Sequence, residues 1–141
     1  MLLVCKCKDG ITFVVMEKKI IRTDNAPAPI GPYNQAVSFG NFLFVSGQIA
    51  LDPQTGDLHT GDIKTETTWV MNNLAAILKE AGLDFSNVLK STIFLMDMGQ
   101  FAQVNEVYGS YFPTNAPARE TVQVAGLPKG VKVEISVIAA S

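Results

Sequence analysis

Residues 115–124 read NAPARETVQV, and after the turn GLPKG the chain continues as VKVEISV at residues 131–137. Apolar residues alternate with polar ones in both runs, which is typical of strands that bury one face. We predict that the two strands pair with each other, because hydrophobic pattern sets strand register. One face is then apolar, with Val122, Val124, Val133, Ile135 and Val137. The other face carries Arg119, Thr121, Gln123, Glu134 and Ser136.

Arg119 and Glu134 therefore lie on one predicted polar face, where a buried cation is costly unless something pairs it. One interpretation is a structural ion pair or a solvated sheet face. The other is a functional site. A guanidinium group can hold a carboxylate by two parallel hydrogen bonds. A carboxyl group nearby can then transfer protons at the neighbouring bond. The residue types suit a small acid that is substituted at its α carbon.

The pattern along the chain predicts strands, a helix, a strand, a second helix and a final hairpin. The predicted strands lie at residues 18–22, 35–40, 41–50, 87–96, 118–125 and 131–139. One helix is predicted at residues 62–81, with Asp62 and Glu66 as negative charges in its first turns. The other helix lies between Asp97 and Pro113. This order indicates an α+β fold, a single mixed sheet with two helices packed on one face.

The sheet face away from the helices indicates whether the chain forms an oligomer. Residues 42–45, FLFV, are apolar at consecutive positions, so we expect both faces of this strand to be buried. An open face that is partly polar and partly apolar suggests that other chains cover it. We therefore predict a homo-oligomer.

Length and charge exclude several classes of protein. The 141 residues suit one domain. The net charge is −2 and no run of basic residues occurs, so a nucleic-acid-binding surface is not predicted. No apolar run approaches the length that spans a bilayer. Cys5 and Cys7 are interpreted as incidental thiols, so no metal site is predicted. Sparse cysteine fits a cytoplasmic protein.

A serine hydrolase and a nucleotide-binding enzyme are also not expected. Ser46 lacks a base, because the one histidine, His59, stands in a loop where we expect it to be solvated. Glycines are scattered and form neither a phosphate loop nor a dinucleotide motif. Tyr33 stands in the loop IGPYNQA with its direction fixed by Pro and Gly neighbours, although a lone tyrosine more often packs than acts.

Residues 1–15 are predicted to be an extension before a single domain at residues 16–141. Their apolar runs are broken by charged residues, so they do not form a signal peptide. Met16 opens MEKKIIRTDNAP, a natural beginning for the domain, and ITFVV is the candidate for one added strand.

Five segments follow one another as they do in a known family: NAPAPIGPYNQAV, VSGQIALDPQTG, NNLAAILKEAG, FAQVNEVYGSYF and PARETVQVAGLPKGVKVEISVIA. From about residue 18 to its end the chain resembles the RidA family, also called YjgF, the reactive-intermediate (enamine/imine) deaminases. The resemblance implies a fold like that of chorismate mutase, a homotrimer with sites in clefts between chains, and no cofactor.

The resemblance also implies an activity and its residues. Members hydrolyse 2-aminoacrylate to pyruvate and 2-iminobutanoate to 2-oxobutanoate, with release of ammonia. Arg119 matches the arginine that binds the substrate carboxylate, and Glu134 matches the residue that acts on the attacking water. The backbone carbonyl of Thr121 is expected to help hold that water. Further positions around the cleft are matched by Tyr33, Ser46, Gly47 and Asn105.

Two residues depart from the family pattern. Position 121 is commonly cysteine in deaminating members, and Glu120 stands where a small residue is expected. We expect Glu120 to point to the face opposite Arg119. A competing class is a regulatory or stress protein without imine turnover, either a sensor of small metabolites or a relative with chaperone-like, ribonuclease or translation-inhibiting action. The acidic balance argues against RNA, because RNA binding depends on neutralising phosphates.

Overall fold

The computed structural model describes residues 2–7 and 10–141, and side chains from Met16 onward. Its strands are β1 Leu2–Cys7, β2 Gly10–Val15, β3 Lys18–Ile21, β4 Ala36–Phe39, β5 Phe42–Gln48, β6 Val88–Leu95, β7 Ala118–Gln123 and β8 Val133–Ala140. Its helices are α1 Ile63–Glu80 and α2 Phe101–Ser110. Short 3-10 turns occupy Phe85–Asn87, Met98–Gln100 and Pro128–Gly130.

Six strands form one mixed sheet in the order β3-β4-β5-β8-β6-β7. Neighbours are antiparallel except β6 and β7, which are parallel. Both helices pack on one face, above the alternate residues of β8 that are fully or almost fully buried, namely Val133, Ile135, Val137 and Ala139. The predicted α+β architecture is confirmed.

The first helix shows why the sequence folds locally as predicted. Asp62 caps its start, since the side-chain Oδ1 accepts hydrogen bonds from the amides of Lys64 at 2.9 Å and Thr65 at 3.3 Å. After the helix ends, Gly82 adopts a φ of +73°, a conformation that glycine tolerates without strain. The apolar stripe between these ends is fully buried at Val70, Met71, Leu74, Ile77 and Leu78.

The predicted hairpin of the last two strands is wrong. Strand β6 lies between β7 and β8, so β7 pairs only with β6 and forms an edge of the sheet. The physical reason is the connection, because α2 carries the chain from β6 over the sheet to a parallel neighbour. The turn GLPKG then spans β6 instead of joining adjacent strands.

The register of these three strands also reverses the predicted face of β7. Ser91 of β6 stands opposite both Arg119 and Val137, and Phe94 stands opposite both Val122 and Glu134. Directly paired residues share a face. Arg119 therefore lies on the helix side of the sheet, together with Thr121 and Gln123. Glu134 lies on the open side, together with Ser136 and Val122.

We expected both faces of the strand at residues 42–45 to be buried, with other chains covering the open face. Leu43 and Val45 are buried, whereas Phe42 and Phe44 are 47% and 48% exposed on the open face. Within one chain, therefore, only one face of β5 is covered. The exposed phenyl rings lie 6.4 Å apart between centroids and form an apolar surface on the side of the sheet that no helix covers.

The turn between β4 and β5 agrees with the predicted boundary between the strands at 35–40 and 41–50, since Gly40 adopts a φ of +59° in this hairpin. Before the domain, β1 and β2 pair antiparallel as a separate two-stranded sheet, with Leu2 opposite Val15. Two strands thus stand where one was a candidate. That residues 1–15 are an extension stays a prediction, and the side chains of Cys5 and Cys7 lie outside those described. Across the described ranges, no helix combines the length and apolar character needed to cross a membrane.

Candidate functional site

The first group of predicted site residues is the Arg119 cluster, which consists of Arg119, Asn105, Phe101 and Tyr108. Nη1 of Arg119 donates a 2.7 Å hydrogen bond to Oδ1 of Asn105 in α2. The guanidinium carbon lies 5.5 Å from the ring centroid of Phe101 and 5.2 Å from that of Tyr108, within range of cation–π attraction. One edge of the guanidinium is thereby oriented, and the exposed side chain keeps further N–H donors for a ligand.

Tyr108 anchors this cluster to the sheet. Its hydroxyl donates a 2.9 Å hydrogen bond to Oγ of Ser91, the β6 residue that stands opposite Arg119. Burial raises the pKa of the Tyr108 hydroxyl, although the bond to Ser91 and the charge of Arg119 act in the opposite direction. The phenol therefore stays neutral, and its ring forms a wall for the guanidinium.

Thr121 lies on the same side of β7 as Arg119, two residues further along. Its Oγ1 is buried and has no hydrogen-bond partner within residues 16–141. A buried hydroxyl without a hydrogen-bond partner is costly, so the Thr121 hydroxyl does not stabilise the folded state. The role predicted for the Thr121 backbone carbonyl stays a prediction.

The second group is the Glu134 pocket, an open cavity of about 400 Å³. It is lined by Ile30, Tyr33, Ser46, Gly47, Ile49, Pro128 and Glu134. The Glu134 side chain lies directly on the backbone of Gly47. A Cβ atom added at Gly47 would overlap the Glu134 carboxylate oxygen and approach its Cδ to 2.7 Å. Glycine at position 47 is therefore what gives Glu134 its place.

A β-bulge opens the sheet at this pocket. Val45 stands opposite Val137 and Gln48 opposite Ile135, so β5 uses one residue more than β8 between these pairs. The amide of Ser46, inside the bulge, bonds the carbonyl oxygen of Gln35 at 3.0 Å. The Ser46 hydroxyl donates to the Asn34 carbonyl at 2.7 Å, which makes it an anchor for the neighbouring loop.

Gln35 holds the loop that carries Tyr33, and no sequence pattern predicted this role. The side chain is 2% exposed, and its Nε2 donates to the carbonyl oxygens of Thr23, Ala26 and Pro27 at 2.9–3.0 Å. Its Oε1 accepts from the Thr23 amide at 2.8 Å. Tyr33 itself is 48% exposed at the mouth of the pocket. A buried glutamine thus fixes the direction of an exposed phenol.

Partial burial raises the pKa of the Glu134 carboxyl above its ordinary value of 4.5. A carboxyl group with a raised pKa exchanges protons more readily near neutral pH than an ordinary glutamate. Apolar walls and a carboxyl group with a raised pKa are therefore found together in the Glu134 pocket.

Arg119 and Glu134 do not meet within one chain, which corrects the prediction that they share a face. They lie on opposite sides of the sheet, and strand β6 separates their strands. Asn105 and Thr121 accompany Arg119, whereas Tyr33, Ser46 and Gly47 accompany Glu134. Each chain therefore carries two separate groups of candidate site residues, the Arg119 cluster and the Glu134 pocket, which we call the candidate half-sites.

Glu120 points away from Arg119, as expected. Its Oε1 lies 3.0 Å from Nζ of Lys90 and accepts a 2.9 Å hydrogen bond from Oγ1 of Thr92, both on the open face. These two bonds, with Lys90 contributing most, lower the pKa of the Glu120 carboxyl. The charge of Glu120 is thereby paired with a residue other than Arg119.

His59 is not simply solvated. Its imidazole stacks on the indole of Trp69 with 4.1 Å between ring centroids, and its Nε2 lies 3.8 Å from Oδ2 of Asp52. Since Ser46 bonds Asn34 and His59 stacks on Trp69, neither residue adopts the nucleophile–base arrangement of a serine hydrolase.

Comparison with known proteins places the chain in a family. The family model for endoribonuclease L-PSP matches residues 23–141. A mouse protein named 2-iminobutanoate/2-iminopropanoate deaminase is 49% identical over 122 residues, which are 86% of this chain and 90% of the mouse protein.

Two solved structures have the same fold. YyfA of the conserved Rid protein family from Yersinia pestis is 47% identical with a TM-score of 0.86, over 89% of this chain and 100% of that one. TdcF from E. coli, solved with bound serine, is 44% identical with a TM-score of 0.84, over 87% and 98% of the two chains.

Proposed function

Because the chain belongs to the Rid family, also called YjgF, we propose that it hydrolyses small reactive enamine and imine acids to 2-oxo acids and ammonia. The substrates are 2-aminoacrylate and 2-iminobutanoate. The observation that carries the proposal is the complementary chemistry of the two half-sites. The Arg119 cluster presents an oriented cation for a carboxylate, and the Glu134 pocket presents a proton-transferring carboxyl group between apolar walls.

A complete site forms when the Arg119 cluster of one chain meets the Glu134 pocket of its neighbour. Arg119 lies on the edge strand β7, where another chain can approach it, and the open face of the sheet exposes Phe42 and Phe44. Contact between two different surfaces is head-to-tail, and it closes into a ring when the rotation is right. The ring is a homotrimer, with one site in each of its clefts.

The reaction needs positioning more than reactive groups. Arg119 binds the substrate carboxylate through its N–H fork, which orients the imine carbon. Glu134 accepts a proton from a water molecule as the oxygen of that water bonds to the imine carbon. The protonated Glu134 returns this proton to the imine nitrogen, which gives a carbinolamine. Glu134 then accepts the hydroxyl proton of the carbinolamine and passes it to the amino nitrogen, so that the carbonyl forms as the C–N bond breaks and ammonia leaves behind a 2-oxo acid.

Other residues of the half-sites support these two. The Thr121 carbonyl holds the attacking water, Asn105 orients Arg119, and Tyr33 closes the mouth of the pocket. Ser46 and Gly47 shape the floor beneath Glu134. No cofactor enters these steps, and the low cysteine content supports a cytoplasmic location.

The deaminase proposal is tested by supplying the substrate as it forms. A threonine dehydratase generates 2-iminobutanoate in place, and ammonia and 2-oxobutanoate are measured with and without the purified protein. We expect acceleration over the spontaneous rate. Arg119→Ala should lower kcat/KM roughly a hundredfold, about 3 kcal/mol, because the carboxylate loses its partner. Arg119→Lys should recover little, since lysine lacks the fork.

Arg22→Ala is the matched control, because Arg22 is an exposed arginine just after β3, at the opposite edge of the sheet. It should keep the wild-type rate. No acceleration by the wild-type protein would overturn the proposal and favour a metabolite sensor that uses the same cleft. Tight, salt-dependent binding of RNA would favour a nucleic-acid function, against the net charge of −2.

A further inference from the structure

Glu66 is a fully buried carboxylate that belongs to neither half-site. The sequence predicted it as a negative charge near the start of α1, but the side chain points into the protein. Its Oε1 accepts hydrogen bonds from the backbone amides of Lys132 and Val133, the latter at 3.2 Å. Burying a carboxylate is costly unless hydrogen bonds compensate, so these two bonds are the ones that hold it there.

Lys132 is fixed from three directions. Its amide bonds Glu66, its carbonyl oxygen accepts a 3.0 Å hydrogen bond from the amide of Met96 just after β6, and its Nζ donates to the Thr60 carbonyl oxygen at 2.9 Å. The helix, the strand β6 and the loop before the helix thus converge on one residue. This anchored residue immediately precedes β8.

The anchor stands between two parts of the Glu134 pocket. Two residues after Lys132 comes Glu134 itself. Before it comes the turn Pro128–Gly130, in which Pro128 lines the pocket and Lys129 adopts a φ of +56°. Because the turn and the strand are joined through Lys132, a shift of the anchor would move both the wall and the carboxyl group.

We infer that Glu66 is a positioning residue for the proposed reaction: it fixes the start of β8 and so sets the distance of Glu134 from the substrate. The inference rests on the proposed function. Oε1 of Glu66 accepts both hydrogen bonds, and Oε2 has no hydrogen-bond partner within the described residues. The carbonyl oxygen of a glutamine could therefore take the same place, and the requirement is for an acceptor at this point and not for a charge.

The test compares Glu66→Ala with Glu66→Gln in steady-state kinetics. In Glu66→Ala the two amides lose their acceptor and the start of β8 shifts, so kcat should fall about ten- to a hundredfold. KM should change less than about threefold, because Arg119 on the other half-site still binds the carboxylate. Glu66→Gln should restore most of the kcat.

Thr67→Ala is the matched control for lost stability. Thr67 is also fully buried and is the next residue of α1, but its hydroxyl bonds the Ile63 carbonyl within the same helix. This variant should lower the Tm and leave kcat unchanged. If Thr67→Ala lowered kcat as much as Glu66→Ala at an equal loss of Tm, or if glutamine failed to rescue, the positioning role would be refuted.

A second readout needs no turnover and therefore separates failure of this inference from failure of the proposed function. Carbon NMR follows the titration of the Glu134 carboxyl, whose pKa is raised by burial. In Glu66→Ala this pKa should move towards its ordinary value as the side chain gains solvent, whereas Thr67→Ala and Glu66→Gln should keep it raised. An unchanged titration in Glu66→Ala would overturn the inference even if the enzyme were a deaminase.

Discussion

The Arg119 cluster and the Glu134 pocket differ in how the fold holds their central side chains. Arg119 is a long side chain on an edge strand, exposed and steered by one amide and two aromatic rings. Glu134 lies on an inner strand, on a glycine within a β-bulge, close to a backbone anchored by a buried carboxylate. Holding a substrate charge tolerates a flexible arm, whereas moving a proton requires a fixed distance.

On the proposed mechanism, the comparison also explains why one chain would be insufficient. Each half-site would have the function that the other lacks, and the sheet separates them. An interface between copies would unite them and would also cover the exposed phenyl rings of the open face. On this proposal, oligomerisation and activity have the same structural cause.

The largest expected effect comes from mixing two inactive variants. Arg119→Ala and Glu134→Gln should each be nearly inactive as homogeneous proteins. Co-expressed in equal amounts with different tags, they should recover about a quarter of the wild-type activity. In a three-membered ring of random composition, about one cleft in four receives an intact Arg119 from one chain and an intact Glu134 from the next.

A matched mixture provides the control. Wild-type chains mixed with the Arg119→Ala/Glu134→Gln double variant should also retain about a quarter of the activity if each site spans two chains, but about half if each site lies in one chain. Sites within single chains would give no recovery in the first mixture. That result would break the two-chain assignment.

A smaller effect is expected from Gly47→Ala, which tests the Glu134 pocket alone. The added methyl group overlaps the Glu134 carboxylate, and this flexible side chain can swing away without disturbing the fold. We expect kcat to fall about tenfold or more with little change in KM. Gly126→Ala is the control, since no atom lies within 4 Å of the Cβ it would gain. An unchanged kcat would show that the position of Glu134 does not matter.

The smallest effect concerns pH. Burial raises the pKa of Glu134, so ionisation of this group opposes folding as pH rises through its native pKa. Glu134→Gln should therefore raise the Tm slightly at neutral pH. The difference from wild type should vanish below about pH 4.5, where the Glu134 carboxyl is protonated in both the folded and the unfolded protein. Thermal unfolding across this range measures it.

The same ionisation should control the rate. As a base, Glu134 must be deprotonated, so the wild-type kcat should decline on the acid side with a midpoint above 4.5. Agreement between the kinetic and the thermal midpoints would identify Glu134 as the base. In Glu134→Asp, both pH midpoints should shift together. If the midpoint of the Tm profile shifted and the midpoint of the kcat profile did not, another group would be the base.

Local rules in the sequence determined most of the secondary structure. The Asp62 cap, the glycine after α1 and the turn at Gly40 each act on a few neighbouring residues, and the helix and strands that they bound lie close to where the sequence predicted them. The buried alternation of β8 was also readable, because this strand lies beneath the helices along its length. The motifs around Arg119, Glu134 and Tyr33 identified the family, because each is a contiguous stretch of chain.

Only the tertiary structure decided which strands are neighbours and therefore which residues share a face. Strand β7 has too few apolar residues to fix its own register, so the crossover through α2 and the pairing with β6 placed Arg119 on the helix side. Glu66 and Gln35 were likewise unpredictable, since a polar residue in a helix or at a strand end normally faces water. Their partners are backbone groups 66 and 12 residues away, and only the fold brings these together.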